Sequence, residues 1–241
     1  MVTPEALGYE ISGRGIADVA VTELNTVSGP ARAPAAPAHK ELRVGGRTAE
    51  VRYLDRAGWG ADASFGLSEG TQIWPPDYVP VRALTVHHTA GINDDPDPAG
   101  TVRAIHYHHA VHQGWGDIGY HALIDERGTV YEGRWSGSDT PILGTRPGPD
   151  GRAPMVDAGH VLGFNAGNVG IALLGDFSRR LPTRVARRSL TAVLALLIAI
   201  ERLDPLEAIL GHRDWEATEC PGGMFHPLLA AVRGDVARQV G

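Results

Sequence analysis

The chain has 241 residues, 43% of them apolar, enough for one substantial core with room for an accessory segment. Its 22 basic and 28 acidic residues give a net charge of −6 with no block of Lys or Arg, which argues against a nucleic-acid partner. The lone cysteine, Cys220, excludes an intrachain disulfide, and no apolar stretch reaches the ~20 residues of a membrane span.

Residues 1–50 read as an N-terminal extension, with a weakly alternating strand at 16–24 and a Pro/Ala-rich linker at 29–38. Residues 1–20 carry Glu5, Glu10 and Asp18 and no apolar h-region, so no signal peptide is legible there. His39 is expected to be a solvated linker residue. The compact domain is assigned to residues 51–241 and is expected to be a monomer.

Within it, strands are expected at 50–54 and 81–86, the latter delivering His87-His88-Thr89. Residues 91–98 hold Asn, Asp, Gly and Pro and must be a loop. A helix fits 99–112. A hairpin fits 120–124 and 129–132, turning at Asp125-Glu126-Arg127-Gly128. Residues 133–167 form a long Gly- and Pro-rich loop, a length that in a compact domain usually signals function. The near-continuous apolar run 169–174 suits a strand covered on both faces. The longest helix spans 183–203, with Thr183 as N-cap and Pro205 as stop. A short strand at 208–210 delivers Gly211-His212, and a last helix covers 225–239. Alternating strands and helices argue for an α/β or α+β architecture.

Eleven histidines call for sorting. His108 and His112, at i and i+4, would share a helix face, but no Glu lies between them, so they lack the HExxH pattern. His87, His212 and Cys220 are better placed. Each follows a strand or sits in the adjacent loop, where side chains are held at the rim of a sheet. Two imidazoles and a thiolate make three ligands and leave a fourth tetrahedral position for water, as in catalytic zinc sites. His87 or His212 alone also fits a satisfied strand-end side chain, whereas Cys220 differs, because a Gly-rich turn rarely buries a small hydrophobe well.

At these residues the chain resembles the peptidoglycan recognition proteins and type 2 N-acetylmuramoyl-L-alanine amidases. The matching pieces are Arg56-Ala57-Gly58-Trp59-Gly60, Val86-His87-His88-Thr89-Ala90-Gly91, Gly114-Trp115-Gly116-Asp117-Ile118-Gly119-Tyr120, Val130-Tyr131-Glu132-Gly133-Arg134, the run 168–177, and Gly211-His212-Arg213-Asp214 through Cys220-Pro221-Gly222. They cover roughly residues 54–232. The resemblance implies an α/β fold, a mixed central sheet flanked by helices with a groove over one face. It also implies Zn2+ held by His87, His212 and Cys220, and cleavage of the amide between N-acetylmuramic acid and L-alanine of peptidoglycan. Non-catalytic relatives commonly lack the cysteine, so its presence favours an enzyme.

The same resemblance implies that Tyr120 assists catalysis from across the metal. Thr218 takes the place where phage relatives carry a catalytic Lys and many recognition-protein amidases carry Thr; it supplies a hydroxyl but no charge. Anhydro-muropeptide amidases place a Glu in the strand that here reads Gly170-Ile171-Ala172-Leu173, and Ala172 cannot serve. His88 and Asp214 are candidates for bonding the outer nitrogens of the ligand imidazoles. Gly114, Trp115 and Arg134 match positions that accompany diaminopimelate-type stems, Arg134 offering a planar fork to a carboxylate. His109, His160 and Asn165 match groove-lining positions. A muropeptide-binding module without catalysis, or a zinc hydrolase of another amide, are the competing readings. Such a substrate implies a secreted or cell-wall-associated, bacterial protein.

Overall fold

The structure is a computed structural model and describes residues 38–44, 46–138, 141–143 and 152–241. The strand expected at 16–24 and most of the linker lie outside those residues. A six-stranded sheet organises the rest. Its strands are β1 (Tyr53–Leu54), β2 (Ala83–His88), β3 (Ala122–Ile124), β4 (Val130–Glu132), β5 (Asn168–Leu173) and β6 (Ile209–Gly211), in the order β6-β2-β5-β3-β4-β1. Only β3 and β4, the predicted hairpin, run antiparallel; every other neighbouring pair is parallel. The sheet is therefore mixed, with helices on its faces, as expected.

Strand alternation sorts the side chains between two cores. In β5, Val169, Ile171 and Leu173 enter the larger core, with Leu84 and Val86 of β2. That side is closed by the helices α2 (Arg184–Glu201) and α3 (Leu229–Val240). Ala172 and Leu174 point to the opposite face, where Trp59, Ile118 and helix α1 (Pro98–Tyr107) form a smaller core. On β2 the same alternation turns Thr85 and His87 away from the larger core. His87 pairs in register with Ala172, whose small side chain leaves the imidazole room.

Several boundaries differ from the sequence reading. The hairpin Leu42–Val44 and Arg47–Ala49 buries Leu42, Val44 and Ala49 in the larger core, so folded structure begins before residue 51. Each of these strands is only three residues long, and only Leu42–Val44 alternates buried and exposed residues, too short a pattern to stand out. His39 is solvent-exposed as expected but is not a linker residue: its backbone bridges Tyr53 and its Nε2 lies 3.3 Å from Asp55.

The helix expected at 99–112 is α-helical only to Tyr107 and continues as a π turn, His108–His112. Thr183 caps α2 as expected, its hydroxyl accepting the Ala186 N–H. That helix ends at Glu201, where Arg202 adopts φ 53°, four residues before the predicted stop at Pro205. Pro205 instead opens a short helical turn, Pro205–Ala208. Within the long loop, Met155–Val156 pairs with Tyr78–Val79, and Tyr120 lies just before β3 rather than in it.

Candidate metal centre

His87, on β2, and His212 and Cys220, in the segment after β6, bring one ligand atom each to within 4.8 Å of one another. β6 and β2 are parallel neighbours, so their carboxyl ends lie side by side and the two imidazoles meet, ring centroids 4.5 Å apart. The loop from 212 to 220 is fastened at several points. Arg213 N–H donates to the Cys220 carbonyl, and Trp215 Nε1 donates to Thr85 Oγ1 at 2.8 Å. Cys220 Sγ accepts the His88 N–H at 3.3 Å and stands 3.6 Å from His87 Nδ1.

The hydrogen bonds assign the tautomers. His160 Nε2 sits 2.7 Å from the Asn168 carbonyl, which can only accept, so Nε2 carries a proton. Burial lowers the His160 pKa to about 4, so the ring is neutral near pH 7 and its Nδ1 is an acceptor. His87 Nε2, 3.0 Å away, must donate to it. That leaves His87 Nδ1 as a bare lone pair beside the cysteine sulfur. His87 is fully buried, which holds its pKa well below the usual imidazole range. His212 is oriented by a carboxylate: its Nε2 is 2.6 Å from Glu216 Oε1.

The donor set fits a metal. Burial pushes the Cys220 thiol up to about 12, so a thiolate there needs a cation beside it. Neutral imidazole lone pairs and a thiolate suit zinc, and three ligands match the open form of its sites.

Tyr120 stands next to the cluster, 5.3 Å from His87 ring to ring. Burial, then the nearby Cys220, raises its phenol pKa, so it stays an O–H donor. Thr218 Oγ1 accepts the Cys220 N–H at 3.2 Å, shaping the loop that carries the sulfur. His109, on the π turn, accepts the Gly119 N–H at Nδ1 and packs against Trp115 and Tyr120. Gly114 adopts φ +73° and turns the chain into Trp115, which is partly exposed. Asn165 Oδ1 accepts the N–H groups of His160 and Val161, so it holds the turn that presents His160.

Arg134 differs most from its expected setting. It is buried, bonded to Asp117 and to the carbonyls of Trp74, Pro75 and Asp157, and is not a free fork. Asp214 does not bond His212; it accepts the Gly211 N–H and pairs with His226, fixing the turn. His88 Nδ1 accepts the Phe177 N–H and likewise bonds no ligand ring. Sequence reasoning missed Glu216 as the carboxylate partner, although four residues after His212 was a readable spacing. It also missed that His160 sits behind His87.

Residues 77–223 match the family model described as N-acetylmuramoyl-L-alanine amidase. The bovine peptidoglycan recognition protein 1 is 33% identical over 179 residues, 73% of this chain and 81% of that protein. A human N-acetylmuramoyl-L-alanine amidase is 32% identical over 182 residues, 72% of this chain but only 27% of that longer protein. Among solved structures, Drosophila PGRP-LB superposes with a TM-score of 0.58 at 26% identity, covering 75% of this chain and 93% of that one. A mutant of the same insect protein was solved in complex with tracheal cytotoxin.

Proposed function

We infer what this chain does from the family it belongs to, that of the N-acetylmuramoyl-L-alanine amidases. Peptidoglycan is the substrate class, and the chain hydrolyses the amide between N-acetylmuramic acid and L-alanine. The convergence of His87, His212 and Cys220, with the His87 lone pair turned to the sulfur, carries the catalytic reading over a purely binding one. Those three residues would hold Zn2+. When bound, zinc supplies Lewis acidity and a water activated near neutral pH.

The remaining work falls to the protein. Tyr120, protonated at neutral pH, donates its O–H to the oxygen that becomes negative as the amide carbonyl is attacked. His160 and Glu216 hold the ligand rings in one tautomer and one orientation. Thr218 fixes the cysteine loop and offers its own hydroxyl proton to the same region. His109 and Trp115 wall the groove beside Tyr120. The complex of the insect relative with tracheal cytotoxin supports a muropeptide occupant. Gly114, Trp115 and Arg134 suit diaminopimelate-type stems, Arg134 by its charge from beneath the groove surface. Such a substrate locates the protein at the cell wall or outside the cell.

The test is direct. Purified protein incubated with muropeptides should release free stem peptide beginning at L-Ala, detected by mass spectrometry, and a chelator should abolish release. Products cut within the glycan or within the peptide would overturn the assignment.

A further inference from the structure

His108 and His112 open and close the π turn that follows α1. Their rings stack, centroids 5.0 Å apart and planes 27° from parallel. Neither takes part in the His87–His212–Cys220 cluster. His109 stands between the pair and Tyr120: its ring lies 5.7 Å from those of both His108 and Tyr120, and its Nδ1 is taken by the Gly119 N–H.

Spacing suits the pair to a metal ion. Two imidazoles bound to one ion at about 2.0–2.1 Å, on neighbouring corners of a tetrahedron, hold their ring centroids about 5 Å apart. His108 and His112 stand at that separation, and His87 and His212 stand at 4.5 Å. A lone pair is on offer as well. The Gln113 side-chain nitrogen, which can only donate, lies 3.2 Å from His108 Nε2, so that ring nitrogen is an acceptor. Burial, and then His112, lower the His108 pKa, which keeps the ring neutral near pH 7. Access is open: His108 is half-buried while His112 and Gln113 are exposed, so an ion and its waters can reach the pair without disturbing the core. The backbone supplies a frame. Gln113 N–H donates to the His108 carbonyl at 2.8 Å, the wide bond of a π turn, and such turns recur at functional sites.

We propose that His108 and His112 form a second metal site, separate from the His87–His212–Cys220 cluster, that takes a late first-row divalent ion such as Zn2+ on two imidazole nitrogens, with water completing its sphere. Imidazole suits zinc, copper and nickel, whereas calcium and magnesium take oxygen donors. With two protein ligands rather than three, it is the weaker site. On binding, the ion displaces the Gln113 N–H from His108 Nε2 and ties the first residue of the π turn to the last. That clasp holds the turn that aims His109 at Tyr120. The site does not depend on the amidase reading.

Calorimetry with Zn2+ tests the pair. Wild type should show two binding events, and Cys220→Ser should weaken only the tighter one. His112→Ala, at an exposed position, should weaken only the other, by about 10–100-fold, the loss that even an outer partner of a metal ligand typically causes. His108→Ala should copy it. His39→Ala, which removes an exposed histidine elsewhere, should leave both events within about twofold. In ring-proton NMR spectra the His108 and His112 signals should move together during the weaker event. A wild type with no event that His112→Ala weakens, or with one that His39→Ala weakens equally, would overturn the proposal, as would an equal event with Mg2+. If His112→Ala weakened both events, the two would be one site and the proposal would fail. Should a single event be seen, lost with His112→Ala and kept in Cys220→Ser, this site stands and the zinc reading of the cluster falls.

Discussion

At the scale of single residues, orientation decides more than identity. His87 can turn a free Nδ1 lone pair to the cluster because His160 accepts the proton of its Nε2 and the Asn168 carbonyl in turn accepts that of His160. Glu216 does the same for His212 with a charged acceptor. Removing such a partner typically costs 10–100-fold in metal affinity. Glu216→Ala and His160→Ala should therefore each weaken zinc binding by about 10–100-fold in competition with a chromophoric chelator, with the far-ultraviolet circular dichroism unchanged. An unaltered affinity in either variant would mean that the ring is oriented by packing alone. The convergence of His87, His212 and Cys220 was legible in the sequence mainly through the motifs of the family resemblance, since strand-end position alone leaves a histidine other uses. The setting of Arg134 was not, because a sequence does not tell which acceptors will saturate a guanidinium. Asp214 was a reasonable choice of carboxylate by adjacency, but the turn points it at its own backbone.

At the scale of elements, β5 shows how a strand serves a site it does not belong to. Gly170 leaves the space into which the His160 ring fits; a Cβ there would lie 2.5 Å from ring carbons of His160. Gly170→Ala should cost about 1–3 kcal/mol by overpacking, read from urea denaturation. It should also lower zinc affinity, since His160 cannot move without releasing His87 Nε2. A variant that loses stability but keeps full affinity would uncouple the two rings. Strand and helix types were readable from periodicity, and β5 and α2 were placed within a residue or two. The π turn His108–His112 was not readable, because its composition continues the helical pattern and only the wider turn, which directs His109 toward Tyr120, departs from it. The hairpin at 42–49 escaped because its pairing partner is so close in sequence that neither strand is long enough to show a period.

At the scale of the molecule, burial of neutral histidine ties stability to pH. His121 is fully buried, accepts the Gly170 N–H at Nδ1 and donates from Nε2 to the Val156 carbonyl. Burial lowers its pKa to about 3, against about 6.5 in an unfolded chain. Below pH 6.5 the unfolded state takes up a proton that the folded state refuses, so stability falls as pH falls, until about pH 3. This one imidazole should remove about 2 kcal/mol between pH 7 and pH 5, measured by denaturant titration at each pH. A flat profile across that interval would contradict its neutral, bonded state. Zinc should act in the opposite sense, raising the melting temperature with concentration, by about 2.7 kcal/mol at a hundredfold excess over Kd.

Cys220 and His87 lie 133 positions apart, joined only by the closing of β6 onto β2. No shorter piece of polypeptide brings the three donors together. A chain broken off at any point before Cys220 therefore lacks the sulfur donor, and the three donors assemble together only when β6 and the loop after it dock on β2.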